Sequence, residues 1–194
     1  VFLPGGRAYP RAAPRNWKSR KITNFPSLSP NKYLYFRRGL IMSKTALTVP
    51  PLISGGIMLS YRCTSTCRHC LYRCSPYRPD EWMTIEMAEK IFTALNQEKY
   101  LDSIHIAGGE PTIKWPFLLD FIRLARRMNI RIEYMETNAS WCAGREITKT
   151  KMAELKDAGL SSLLISVSMF HNEFIPFSCT RNCVETARDV FGDE

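Results

Sequence analysis

No apolar run in this 194-residue chain approaches the ~20 residues that a membrane-spanning helix needs. The N-terminus also lacks the hydrophobic stretch of roughly 7–15 residues that marks a secretory signal. There is no P-loop, no Gly-x-Gly-x-x-Gly turn and no Ser-His-Asp order, so the common phosphate cradle, dinucleotide turn and hydrolase triad are set aside. Acidic residues are missing altogether from residues 1–41, which instead hold Arg7, Arg11, Arg15, Lys18, Arg20, Lys21, Lys32, Arg37 and Arg38. Of the 27 basic residues nine lie there, which leaves 18 against 18 acidic ones in the rest. The formal net charge of +9 therefore belongs to the leader, and the body gives no electrostatic reason to bind nucleic acid.

What is present fits one domain: 45% hydrophobic and 23% charged residues in a length able to bury a core. Seven cysteines without an export signal point to a reducing, cytoplasmic setting, where clustered thiols serve metals or catalysis more often than disulfides. Residues 1–41, rich in Pro, Arg, Ser and Asn, are expected to be a disordered basic leader, and residues 42–194 the folded core. Aromatics in the leader (Tyr9, Trp17, Phe25, Tyr33, Tyr35, Phe36) would suit RNA stacking. A solvated tail, or translation upstream of a start at Met42, are the plainer readings.

From about residue 56, short apolar runs alternate with amphipathic ones. Strands are predicted at Ile57–Tyr61, Ser103–Ala107, Ile130–Glu136 and Ser162–Ser168. The first helix is capped by Thr84 and buries Ile85, Ala88, Ile91, Phe92 and Leu95. The second has Pro116 in its first turn and a stripe of Phe117, Leu118, Phe121, Ile122 and Ala125. A third, from about Glu146, buries Ile147, Met152 and Leu155 and stops at Gly159. A fourth, after Thr180, uses Cys183, Val184, Ala187 and Phe191. Four βα units imply an α/β fold built on a parallel sheet, whose ligands gather at the carboxyl ends of the strands.

Two motifs fall at such ends. Cys63, Cys67 and Cys70 form C-x3-C-x2-C after the first strand. Three thiolates on one loop can hold an iron–sulfur cluster or metal while leaving one coordination position free of protein. The second strand runs into Gly108-Gly109-Glu110-Pro111, where two glycines permit close approach of the backbone to a ligand.

On these motifs the chain resembles the radical S-adenosylmethionine (radical SAM) superfamily over roughly residues 55–180. The resemblance implies that Cys63, Cys67 and Cys70 bind three irons of a [4Fe–4S] cluster, whose fourth iron takes SAM. Gly108, Gly109, Glu110 and Pro111 would contact the methionine amino group, and His69 would lie near the adenine. Asn138 belongs to a Glu136-Thr137-Asn138-Ala139 run similar to the family's Thr-Asn-Gly, with Ala in place of Gly. Ser166 and Ser168 stand where the family often has polar groups near SAM, although Asp is common at the position of Ser168. His171, Asn172 and Glu173 follow, facing either the substrate or solvent.

The implied activity is reductive cleavage of SAM and hydrogen abstraction from an unknown substrate. An external flavodoxin- or ferredoxin-like protein would donate the electron. The implied fold is a partial (β/α) barrel with four of the family's six βα units, so a fragment or completion by another chain is expected. A four-thiolate zinc site closed by Cys74, in a non-catalytic zinc or iron–sulfur module associated with RNA through the leader, is the alternative. Cys142, Cys179 and Cys183 read as core thiols, and His105 as a satisfied core histidine.

Overall fold

The computed structural model describes residues 20–21 and 48–192. The chain divides into Ala8–Pro51 and a larger unit made of Val1–Arg7 with Leu52–Glu194. In the smaller unit β1 (Arg20–Lys21) pairs antiparallel with β2 (Thr48–Val49). The expected disorder of residues 1–41 otherwise lies outside the described residues.

The larger unit carries a four-stranded parallel sheet in the order β3 (Ser54–Met58), β4 (Ser103–Ala107), β5 (Ile132–Thr137), β6 (Leu163–Ile165). Helices α1 (Ile85–Leu95), α2 (Trp115–Arg127) and α3 (Arg145–Ala158) cross between successive strands. A short α4 (Met169–Asn172) and then α5 (Phe177–Phe191) follow β6. Parallel neighbours require such crossovers; the parallel α/β sheet expected from the alternation forms, and with it the partial barrel that the resemblance implies.

Local chemistry sets the helix ends. Thr84 caps α1 by accepting from the Met87 N–H at 3.2 Å. α3 ends at Gly159, whose φ of 123° suits a residue without Cβ. Ile104, Ile106 and Met135 point to the helical side and are sealed with Phe92, Phe121, Leu118 and Ile122. Phe92 meets Phe121 edge-on at 5.1 Å between centroids, so α1 locks onto α2. Burying each ring contributes about 1.5–3 kcal/mol.

Four sequence-based expectations are corrected. Ile147 is 63% exposed, because the buried stripe of α3 runs through Thr148, Met152, Leu155 and Ala158. α5 begins at Phe177 rather than after Thr180, which lies buried within it. β3 starts and ends earlier than predicted, since beyond Leu59 the backbone turns its carbonyls to the Gly108–Glu110 turn. His105 is not a core residue: it alternates to the face away from the helices, stacks on Tyr134 and lies 3.7 Å from Glu136.

Candidate active site

Residues 60–82 make an excursion between β3 and α1 whose base is pinned. Ser60 bridges to Trp82 and Arg62 to Ser75, while Ser60 Oγ donates to the Glu81 carbonyl at 2.7 Å. Within the loop the Cys70 N–H donates to the Cys67 carbonyl and the Arg73 N–H to that of Cys70. Cys63, Cys67, Cys70 and Cys74 thereby line one cavity of about 140 Å³, closed by Gly108, Gly109, Thr137, Asn138 and Ser166. A larger cleft of about 530 Å³ opens around Arg126, Arg131 and Lys156, at the amino ends of β5 and β6. The cysteines instead occupy the carboxyl ends, where this architecture places chemistry.

The two glycines have a more specific task than approach to a ligand. A Cβ on Gly109 would sit 1.8 Å from the Arg62 carbonyl oxygen, and one on Gly108 3.0 Å from that of Ser60. Gly108 also has φ of 152°. The Gly109 and Glu110 N–H groups donate to the Ser60 and Arg62 carbonyls, each at 2.9 Å. The glycine turn is thus the seat of the cysteine loop, and both glycines still face the cavity.

Glu110 and Pro111 stand behind that wall. The Glu110 carboxylate is 1% exposed and accepts from the Thr112 N–H and hydroxyl, the Thr137 hydroxyl and the Asn138 N–H. Burial raises its pKa while these four donors oppose the shift. With its oxygens engaged by protein donors, the side chain clamps the end of β4 to the end of β5.

Asn138 carries the clamp onward. Its Nδ2 donates to Thr64 Oγ1 at 2.9 Å and to Cys63 Sγ at 3.5 Å, while its Oδ1 accepts from the Ser140 N–H. Ala139 then adopts φ of 63°, a left-handed conformation that favours glycine. The Gly that the resemblance implies at this position would adopt that conformation without a steric penalty.

The far side of the cavity comes from β6 and α4. Ser166 lines it, but Ser168 does not: its hydroxyl caps α4 and lies 2.9 Å from His171 Nδ1. His171 lines the cavity and meets His69 edge-on at 4.9 Å. Burial, then the nearby His69, lower the His171 pKa. Phe170 also packs against His69, at 4.9 Å between ring centroids, and Glu173 pairs with Arg68. Phe170 escaped the sequence reading because one aromatic in an apolar run carries no positional signal. Asn172 is exposed. Cys142, Cys179 and Cys183 are buried away from the cavity, with Cys142 and Cys183 sharing a small apolar cluster with Ala139 and Met152.

The donor set fits a cluster. Cys63 receives hydrogen bonds from Asn138 Nδ2 and the Ser65 N–H, Cys67 from the Ser65 side chain, and Cys70 from the Cys74 N–H. Donors aimed at sulfur favour thiolate, the form that binds metal. Burial opposes them and pushes Cys63 up to about 11. Among the described residues no three His, Cys, Asp or Glu side chains converge on one metal ion.

The fold defines an α/β protein of the partial-barrel type, with a cysteine loop at the carboxyl end of its first parallel strand. The chain belongs to the radical SAM superfamily, whose family model matches residues 57–191. It is 24% identical over 132 residues to the "Putative peptide biosynthesis protein YydG" of Bacillus subtilis (strain 168), covering 68% of this chain and 41% of that protein. Among solved structures, a histidine-tagged anSMEcpe with bound AdoMet matches with a TM-score of 0.53 and 22% identity, over 73% of this chain and 41% of that one. "Native anSMEcpe with bound AdoMet and Cp18Cys peptide" matches with a TM-score of 0.50 and 21% identity, over the same 73% and 41%. These likenesses show the shared fold, and the chain spans about two-fifths of the length of these relatives. Among the described residues no helix is long and apolar enough to cross a membrane.

Proposed function

We propose that this chain is the cluster- and nucleotide-binding part of a radical SAM enzyme, with Cys63, Cys67 and Cys70 holding a [4Fe–4S] cluster. The observation that carries the reading is the convergence of these cysteines with Gly108, Gly109 and Ser166 on one cavity at the strand ends. When bound, cluster and SAM supply one-electron cleavage of a sulfonium and hydrogen abstraction, chemistry that protein side chains do not perform. The chain's own residues hold and shield that site. The Gly108–Gly109 backbone and Ser166 offer polar contacts to the methionine end of SAM, while His69, in contact with Phe170 and His171, offers a ring to its adenine.

An external flavodoxin- or ferredoxin-like protein is the proposed electron source. A peptide is the proposed substrate class, supported by the name of the curated relative. Oxygen-free reconstitution with iron and sulfide should give a protein with labile sulfide whose reduced-cluster spectrum changes when SAM is added. Stoichiometric zinc without sulfide, or a spectrum indifferent to SAM, overturns the proposal. Peptide-dependent release of 5′-deoxyadenosine tests the substrate class.

A further inference from the structure

We infer that the two turns at Leu71–Tyr72 and Pro76–Tyr77 are the docking surface for a small acidic electron-transfer protein that reduces the cluster. The inference rests on the cluster reading above and names where its electron enters. Leu71 is 91% exposed and Tyr77 88%, and Tyr72 and Arg73 are exposed as well. Apolar groups gathered in water mark a contact surface when they stand together. The two turns are built to stay together. The Arg73 N–H donates to the Cys70 carbonyl and closes the first, and the Arg78 N–H donates to the Ser75 carbonyl and closes the second. Arg78 then bridges them: its Nε donates to the Arg73 carbonyl at 2.9 Å and its Nη2 to the Tyr72 carbonyl at 3.4 Å. The Tyr77 N–H donates to Ser75 Oγ at 3.2 Å. One guanidinium thus clasps both turns, and a patch fixed before its partner arrives loses little entropy on binding.

Charge selects the partner. Residues 61–79 hold Arg62, Arg68, Arg73 and Arg78 and no Asp or Glu. Asp80 faces Arg62 and Glu173 pairs with Arg68, but Arg78 donates to neutral carbonyls, so a positive excess stays with the two turns. Such a field draws an anionic partner and raises its rate of encounter. Tyr and Arg anchor protein interfaces, and the aliphatic Leu71 among them favours a protein over a nucleic acid, which needs more phosphate-neutralising cations. So few side chains suit the small interface of a transient redox encounter. Position supplies the reason for redox. Leu71 follows Cys70 directly and Tyr72 lines the cysteine cavity, so a carrier seated here lies against the wall of the cluster site. One electron passes from the carrier's reduced flavin or iron–sulfur centre to the cluster; no bond is made or broken, and the carrier leaves oxidised by one electron.

Wild type, Arg73→Glu, Arg73→Lys and Tyr77→Ser are reconstituted without oxygen and assayed for iron and sulfide. All three substitutions keep the backbone bonds that close the turns. Binding of an acidic flavodoxin and of an acidic ferredoxin is measured by calorimetry at low and high salt. Cluster reduction is timed by stopped flow with each reduced carrier and with dithionite, which needs no docking surface. The expected result is binding of at least one carrier that salt weakens, with affinity and reduction rate about tenfold or more lower in Arg73→Glu and Tyr77→Ser. Arg73→Lys should recover toward wild type, and the dithionite rate should be the same in all four. Carrier affinities equal in wild type and both disruptive variants overturn the inference, as does wild type that binds neither carrier. Slower reduction by dithionite also overturns it, because the turns would then support the cluster instead. So does a wild-type dimer that Tyr77→Ser dissociates, or an RNA oligonucleotide that binds these turns more tightly than either carrier. Wild type without labile sulfide defeats the cluster reading itself, so the two failures are distinguishable.

Discussion

Oε2 of Glu110 and the backbone N–H of Asn138 meet at 2.8 Å, so a carboxylate at the end of β4 caps the end of β5. The same carboxylate takes the Thr137 hydroxyl at 2.9 Å, and Asn138 in turn reaches Cys63. Three consecutive strand ends are joined through two side chains, which fixes the cavity wall before any cofactor enters.

Glu110→Gln replaces one acceptor oxygen with an NH2 group and should cost about 1–3 kcal/mol in urea unfolding. The cost should depend on pH. Burial holds the folded-state pKa of Glu110 above its usual 4.5, so protonation favours the folded form. That stabilisation is complete below about pH 4.5 and is lost as pH rises through the folded value. The gap between wild type and Gln should therefore be widest in mild acid and narrow toward pH 8, and a gap that widens with pH would contradict it.

Gly109→Ala drives a methyl into the Arg62 carbonyl and should destabilise by about 3 kcal/mol or more, with loss of iron binding after reconstitution. Gly144 gives the contrast: it caps α3 without a side-chain bond, and no atom lies within 4 Å of its added Cβ. Gly144→Ser should be neutral or stabilise by up to about 0.5 kcal/mol. Thermal melts of the two variants side by side check both expectations.

Asn138→Asp keeps an oxygen for the Ser140 N–H but removes the Nδ2 donor facing Cys63 Sγ and Thr64. A carboxylate beside a thiolate repels it. Iron retained per chain after gel filtration should fall, while the far-ultraviolet circular dichroism stays that of wild type.

Much of this was legible in the sequence, for physical reasons that also mark where it stopped. The cysteine spacing and the glycine pair are rigid local demands, so they stand out in one dimension. β4 was placed from Ser103 to Ala107, as observed, because its apolar run is bounded by a turn. Which partner needs the glycines is a matter of packing between strands, and the answer, the backbone at Arg62, lies far away in the chain. Ile147 shows the same limit on a helix: the first turn of α3 points its one apolar side chain outward and buries Thr148 instead, and only the neighbours decide.

The register of α3 can be tested directly. Met152→Ala should cost about 2–5 kcal/mol, because the side chain is fully enclosed. Ile147→Lys should stay within about 0.5 kcal/mol of wild type, as surface changes do. Chemical denaturation of both variants gives the comparison, and reversed costs would refute the observed face.

Ala139 carries a methyl group on a backbone that would relax if it carried hydrogen, at a penalty of roughly 1–2 kcal/mol. What restrains it is its nest beside Cys142, Met152 and Cys183, under α5. The tension is thus kept one bond from the asparagine that steadies the sulfur loop. On warming, the hold of Asn138 on the cysteine loop should slacken as α5 loosens, ahead of the melting of the main sheet.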